Sequence, residues 1–166
     1  TKNIMKTNTA LIIIIVAVVI GGGIMFFSGN SDEATEVEQV TSASSLTADR
    51  QLHDFGEIDI FSGVVTTTFA LTNEGTEDVT VSEGTTSCGC TNAELGGISF
   101  GMHEKMNKEF VIPAGETRDL TVVYDPLAHG PSGTGLAQRS VFLKTNSSVT
   151  PELEVRIKAM VTKSDQ

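Results

Sequence analysis

The sequence predicts a mainly β protein: an antiparallel β-sandwich of about seven strands, preceded by one N-terminal transmembrane helix. Two observations predict this class. Residues 10–27 contain no charged side chain. Beyond residue 60, apolar residues recur at every second position in several short segments, which is typical of half-buried strands. The chain has 166 residues, enough for one domain of common size in addition to the apolar segment.

The apolar segment at residues 10–27 reads ALIIIIVAVVIGGGIMFF. As a helix rising about 1.5 Å per residue it spans roughly 27 Å, close to the hydrocarbon core of about 30 Å. A cleaved signal peptide is the alternative. The segment exceeds the usual apolar region of about 7–15 residues, however, and no A-x-A-like cleavage site follows it closely. We therefore expect a single-pass membrane anchor after a short cytoplasmic N-terminus at residues 1–9.

Charge gives the expected orientation and excludes one class of partner. Lys2 and Lys6 precede the apolar segment, and basic residues on a short flank favour the cytoplasmic side. The rest of the chain is then periplasmic or extracellular. All 21 acidic residues but only nine of the 11 basic ones follow residue 27, and such a surface repels nucleic acid. The expected partners are the membrane, through the anchor, and another protein of the cell envelope.

The remaining sequence predicts a flexible acidic linker at residues 28–48 and one folded domain at residues 49–166. Ser, Thr, Ala and Glu dominate the linker, which offers little apolar surface to bury. Turn-forming residues separate the alternating segments of the domain, and no amphipathic helix follows the membrane anchor. The predicted strands lie at 64–73, 78–82, 118–125, 140–146 and 153–161.

His53 and Asp54 are adjacent, which could suggest a catalytic pair. Successive residues of a strand point to opposite faces of the sheet, however. We therefore interpret the segment as an edge strand in which Phe55 enters the core and Gly56 permits a bend. No catalytic residue is assigned, and we expect the protein not to be an enzyme unless it carries out thiol–disulfide exchange.

Cys88 and Cys90 are the two cysteines of the chain and lie in the segment TSCGCTNAEL. Outside the cytoplasm they are expected to be oxidised or metal-bound, which leaves three hypotheses: a structural disulfide, a metal site, or thiol–disulfide exchange. Exchange requires positive charge near a thiolate. The neighbouring sequence does not provide it, because Glu83 and Glu94 flank the cysteines and the nearest lysine is Lys105.

The metal hypothesis draws on two loops as well as the cysteines. The loop at 96–110 contains MHEKM, and the glycine-rich loop at 127–138 contains a histidine. Thiolate, thioether and imidazole together suit Cu(I), and one helical turn at 102–108 would place both methionines on the same side. Methionine also fills gaps in packing, and the histidine in the second loop could simply hydrogen-bond a turn. The candidate ligands are Cys88, Cys90, Met102, His103, Met106 and His129.

Six motifs occur in order along the domain and carry a family resemblance. They are HDFGEI (53–58), FALTNEG (69–75), TSCGCT (86–91), IPAGE (112–116), VVYDP (122–126) and RSVFLKTN (139–146). In this order the sequence resembles the DUF1573 family of bacterial envelope proteins, over about residues 50–162. The resemblance implies an extracytoplasmic immunoglobulin-like (Ig-like) sandwich related to the ASH and PapD-like domains. It implies little about function, because sandwiches host many activities.

We therefore expect a non-enzymatic, membrane-anchored envelope protein whose Ig-like domain mediates protein interaction or complex assembly. Cu(I) binding or delivery through Cys88 and Cys90, helped by the Met–His loop, is the alternative. Thiol–disulfide exchange is the second alternative. Zinc could also use two cysteines and two histidines, but the usual CxxC…HxxxH spacing is missing, so Cu(I) is the candidate cofactor.

Overall fold

The computed structural model describes residues 40–164, which form a β-sandwich of two five-stranded sheets. The predicted membrane anchor and most of the predicted linker lie outside the described residues. Within residues 40–164, no helix is long and apolar enough to cross a membrane. The strands are β1 (Leu46–Ala48), β2 (Leu52–Asp59), β3 (Val65–Asn73), β4 (Val79–Thr86), β5 (Thr91–Leu95), β6 (Ile98–Gly101), β7 (Phe110–Ile112), β8 (Thr117–Tyr124), β9 (Gly135–Thr145) and β10 (Glu152–Thr162).

The first sheet has the order β1-β3-β8-β5-β6, and all its neighbours are antiparallel. The second has the order β2-β10-β9-β4-β7. In it β2 runs parallel to β10, and the other pairs are antiparallel. The predicted sandwich is confirmed, but residues 40–164 form ten strands instead of about seven, and the purely antiparallel pairing is wrong for β2. Parallel neighbours need a long crossover, and here the whole intervening chain provides it.

The core lies between the two sheets and is formed by alternate residues of the long strands. Phe69 of β3 and Leu120 of β8 are opposite each other in register and fully buried. Val141 of β9 and Ile157 of β10 fill the same core from the second sheet. Burial of each such side chain contributes about 1.5–3 kcal/mol to folding. Burial alternates along the whole of β10, as the sequence pattern predicted.

The folded part of the chain begins earlier than residue 49. Leu46 of β1 is 1% exposed and belongs to the core. Ser44 is buried next to it, and its hydroxyl group donates to the backbone carbonyl of Glu77 and accepts from the backbone N–H of the same residue. The last part of the predicted linker, residues 42–48, therefore packs on the sandwich, because hydrogen bonds satisfy its polar side chains.

The edge strand β2 has the bend expected at Gly56, which adopts φ +70°, a conformation that favours glycine. The pairing with β10 shifts register beside it. Phe55 is half-buried against the core, and its ring packs edge-on against the ring of His53, with 4.5 Å between centroids. Asp54 points elsewhere and accepts a 2.9 Å hydrogen bond from Lys158, which lowers the pKa of Asp54. The side chains of His53 and Asp54 therefore have separate structural partners.

Candidate functional site

The two cysteines lie where the chain crosses between the sheets. Strand β4 ends at Thr86 in the second sheet, and β5 begins at Thr91 in the first. The four residues between them form a tight turn at one end of the sandwich. This position places a short, ordered loop at the rim of a rigid scaffold, where binding and catalytic residues commonly lie.

Backbone and hydroxyl contacts fix this loop independently of the sulfur atoms. The backbone N–H of Thr91 donates to the carbonyl of Cys88 at 3.1 Å. The hydroxyl of Thr86 lies within donating distance of the same carbonyl, at 3.0 Å, and of the carbonyl of Thr91, at 2.8 Å. On the other side, the backbone N–H of Asp125 donates to the carbonyl of Cys90 at 2.9 Å. The loop is therefore held by both of its flanking strands and by the end of β8.

The sulfur atoms of Cys88 and Cys90 are joined in a disulfide, and their surroundings differ. Cys90 is 2% exposed and is part of the core, whereas Cys88 is half-buried at the surface. The Nε–H of Arg139 donates to Cys90 Sγ at 3.0 Å. The Nε2 atom of His129 lies 3.2 Å from Cys88 Sγ. One cysteine is thus buried beside a cation, and the other is partly exposed beside an imidazole.

The two residues that contact the sulfurs come from different parts of the fold. Arg139 lies near the start of β9, opposite Ile157 of β10. Its charge also reaches Tyr124: burial raises the pKa of Tyr124 above its ordinary value, and the guanidinium acts in the opposite direction. His129 lies in the loop between β8 and β9. Gly130, at φ +81°, allows the chain to turn directly after this histidine.

Three of the six candidate metal ligands converge. The donor atoms of Cys88, Cys90 and His129 all lie within 4.8 Å of one another. The ring of His103 lies beside the loop, 3.6 Å from where a Cβ atom on Gly89 would be, but it is not part of that group.

The methionines of the loop are placed differently from each other. Met102 is 49% exposed. Met106 is half-buried, and its sulfur packs over Gly84 beside the ring of Phe100. The helical turn expected at 102–108 is wrong, because these residues are bends and irregular backbone. Met106 therefore has a packing role, which was the alternative to metal binding.

Arg139 is the residue of the site that the sequence analysis missed. It lies 49 residues from Cys90, so no local motif connects the two. A signal does exist in the strand pattern. Arg139 lies on the core-facing side of β9, between the buried residues Ala137 and Val141. Arginine is seldom placed facing a core unless it is paired, and here its partner is a sulfur atom.

The guanidinium and the imidazole beside the two sulfurs can support thiol chemistry. A guanidinium that donates to a sulfur stabilises that sulfur as a thiolate. An imidazole next to the accessible sulfur can accept or donate a proton there. The positive charge that the neighbouring sequence lacks is therefore supplied by the fold, from β9.

Comparisons with known proteins agree with the fold. The sequence model of a family described as "Protein of unknown function (DUF1573)" matches residues 46–161. No protein of curated function matches the sequence. Among solved structures, a protein of unknown function from Porphyromonas gingivalis W83 superposes with a TM-score of 0.57 at 15% identity, covering 73% of this chain and 50% of that one.

Two further structures are less similar. The VesB protease of Vibrio cholerae gives a TM-score of 0.49 at 16% identity, covering 72% of this chain and 32% of that one. The PapD-like domain 7 of human CEP192 gives a TM-score of 0.44 at 11% identity, covering 75% of this chain and 89% of that one. The chain thus spans half of the Porphyromonas protein and about a third of the Vibrio protease. At these identities the likeness concerns the fold alone.

Proposed function

Because the chain belongs to the DUF1573 family, whose description assigns no activity, we propose a function from the site itself. The protein is a membrane-anchored, extracytoplasmic interaction domain that engages a partner protein by thiol–disulfide exchange at Cys88 and Cys90. The observation that carries this proposal is the unequal environment of the two cysteines: Cys88 is half-buried at the surface beside His129, and Cys90 is buried beside Arg139.

The exchange step follows from that inequality. A thiolate of a partner dithiol attacks the accessible Cys88 sulfur, a bond forms between the two, and the bond between Cys88 and Cys90 breaks. Cys90 leaves as a thiolate carrying the electron pair. The second thiol of the partner then attacks the mixed disulfide and releases Cys88 as a thiol. The partner loses two electrons and two protons and gains a disulfide, and this protein becomes the dithiol.

Arg139 and His129 have distinct roles in this step. A thiol that is stabilised as a thiolate is a better leaving group, and the Arg139 guanidinium lies 3.0 Å from the sulfur that leaves. His129 is 3.2 Å from the sulfur that is attacked, so it can accept the proton of the incoming thiol. Neither residue is needed for a disulfide that only supports the fold.

The anchor and linker expected from the sequence fit this role. Residues 10–27 would hold the domain at the outer side of the membrane, and residues 28 to about 41 would let its rim reach partners of the cell envelope. In that compartment disulfides form and persist. The interaction with a partner would then be made covalent, briefly, at Cys88.

The test uses two single-cysteine variants of the full chain and a peptide whose only thiol is capped with glutathione. In Cys90→Ser, the remaining Cys88 thiolate should attack the peptide sulfur, release glutathione and form a protein–peptide disulfide visible on a non-reducing gel. In Cys88→Ser, the remaining Cys90 is buried and should form no adduct in the same time. The two variants are matched controls for each other.

Two results would contradict the proposal. Equal reaction of both variants would mean that burial does not distinguish the sulfurs in solution. No reaction of either variant, with both reacting once unfolded in urea, would mean that the folded site is closed to partners.

A further inference from the structure

We propose that the reduced form of this site binds one Cu(I) ion through Cys88 Sγ, Cys90 Sγ and His129 Nε2. These are the donor atoms that the fold gathers within 4.8 Å of one another. Two thiolates and one imidazole form a soft, nitrogen–sulfur set, which suits Cu(I) and not Mg²⁺ or Ca²⁺. Within residues 40–164, no carboxylate belongs to the group, so the site lacks the oxygen ligands that hard cations need.

The local charge supports a monovalent ion. Two thiolates around Cu(I) leave one net negative charge, and burying such a charge without a partner is costly. Arg139 already directs its Nε–H at Cys90 Sγ from 3.0 Å, so its positive charge offsets that of the complex. The guanidinium donates to a sulfur lone pair and leaves the other lone pairs of the thiolate for the metal.

The number of ligands argues against a structural zinc site. Such sites are almost always four-coordinate, whereas three donors converge among the described histidine, cysteine and acidic side chains. Met106 does not add a fourth, because its sulfur packs against Gly84 and Phe100. Because zinc can also bind three protein ligands and a water, the titration against Zn²⁺ decides between the two ions. The proposed ligand set is therefore smaller than the six residues expected from the sequence, because His103 is not part of the converging group and Met106 packs on the core.

Binding is coupled to the redox state of the cysteines. In the disulfide both sulfurs are bonded to each other and neither is a thiolate. A dithiol reductant must first supply two electrons and two protons to give two thiols. Cu(I) then binds the two thiolates as the two thiol protons are released. The copper ion itself keeps its oxidation state, so the site binds Cu(I) when reduced and releases it when the cysteines are oxidised.

This inference rests on the proposed function in one respect, namely that exchange with a partner supplies the reduced cysteines. The test removes that dependence by reducing the purified full chain with a chemical dithiol, which is then removed under anaerobic conditions. Cu(I) is titrated against a chromogenic Cu(I) chelator. The reduced protein should bind one equivalent, and the oxidised protein should bind none. In a parallel titration, Cu(I) should displace Zn²⁺ from the reduced protein.

Three variants make the ligand set falsifiable. His129→Ala should weaken Cu(I) binding by at least about tenfold, and this exposed loop residue can be replaced without disturbing the core. Cys88→Ser should abolish one-to-one binding. Met102→Ala, which truncates an exposed side chain, should bind as the unmodified chain does. The proposal is overturned if the reduced chain binds no stoichiometric Cu(I), if His129→Ala binds equally well, or if the methionine variant loses binding. None of these results alters the peptide-exchange test, so failure of copper binding and failure of exchange are distinguishable.

Discussion

Reduction of the Cys88–Cys90 disulfide in the full chain should lower the free energy of unfolding by only about 1.6 kcal/mol. The bond joins residues two apart in sequence and so closes a loop of three residues. In the chain-entropy account, a loop of three constrains the unfolded chain by about 1.6 kcal/mol, against about 3 kcal/mol for a loop of 15. The small value follows directly from the spacing of the two cysteines.

The native contacts of the loop also indicate that reduction has a small effect on stability. The carbonyl of Cys88 accepts from Thr91, and the carbonyl of Cys90 accepts from Asp125. These hydrogen bonds do not involve the sulfurs, so they remain when the disulfide is reduced. The loop should keep its shape, and reduction should act almost wholly on the unfolded state.

Urea unfolding of the oxidised and reduced chains measures this difference without any change of sequence. With a slope typical of a small domain, the midpoint should fall by roughly 1 M. Leu120→Ala serves as a control for real structural damage, because Leu120 is fully buried and its truncation should cost about 2–5 kcal/mol. A loss of about 4 kcal/mol or more on reduction would refute the reasoning and show that the disulfide mainly supports the fold.

Three further predictions concern single side chains. Arg139→Met should slow exchange of the disulfide with a small thiol by roughly tenfold in stopped-flow kinetics. A hydrogen bond to a charged group contributes about 1.5–3 kcal/mol, and part of it is gained as the buried sulfur leaves. Arg156→Met is the matched control and should show no such effect, because this side chain of β10 is 43% exposed. Asn73→Ala should lower the free energy of unfolding, measured in urea, by about 3 kcal/mol. The fully buried side-chain amide donates to two backbone carbonyls and accepts from one backbone N–H, and the substitution leaves all three groups without this partner. An effect below about 1 kcal/mol would contradict this. Hydrogen bonds from Ser164 and the backbone lower the pKa of Asp59 below 3.8, so their stabilising contribution is present above that pH and is lost as the pH falls below it. Asp59→Asn should therefore reduce thermal stability near neutral pH and leave it unchanged in strong acid. A loss of stability that is equal at both pH values would contradict the assignment.

The sequence pattern was sufficient for the long strands and insufficient for the short ones. Strands such as β3 and β10 contain enough residues for alternation to be visible, and both were predicted. Strands β1, β6 and β7 have three or four residues each, which is too few to establish a period. The parallel pairing of β2 with β10 joins residues about 104 positions apart, as for Lys158 and Asp54, and local patterns carry no information about such pairing.

The candidate site was also predictable only in part. Cysteine and histidine are chemically distinctive, so Cys88, Cys90 and His129 could be proposed from the sequence as partners. Met106 was ambiguous because methionine serves both as a ligand and as packing, and only the contact with Gly84 distinguishes these roles. Arg139 could not be linked to the cysteines by spacing, because the fold of β9 against the crossing loop brings them together.

The measurement that tests the central claim most directly is the identity of the sulfur that reacts. The oxidised full chain is exposed to excess glutathione, quenched with acid, digested and analysed by mass spectrometry. If Cys88 is the attacked sulfur and Cys90 the leaving group, glutathione should be found on Cys88, with Cys90 as a free thiol. Glutathione on Cys90, or no adduct on the folded chain when the urea-unfolded chain reacts readily, would contradict the account.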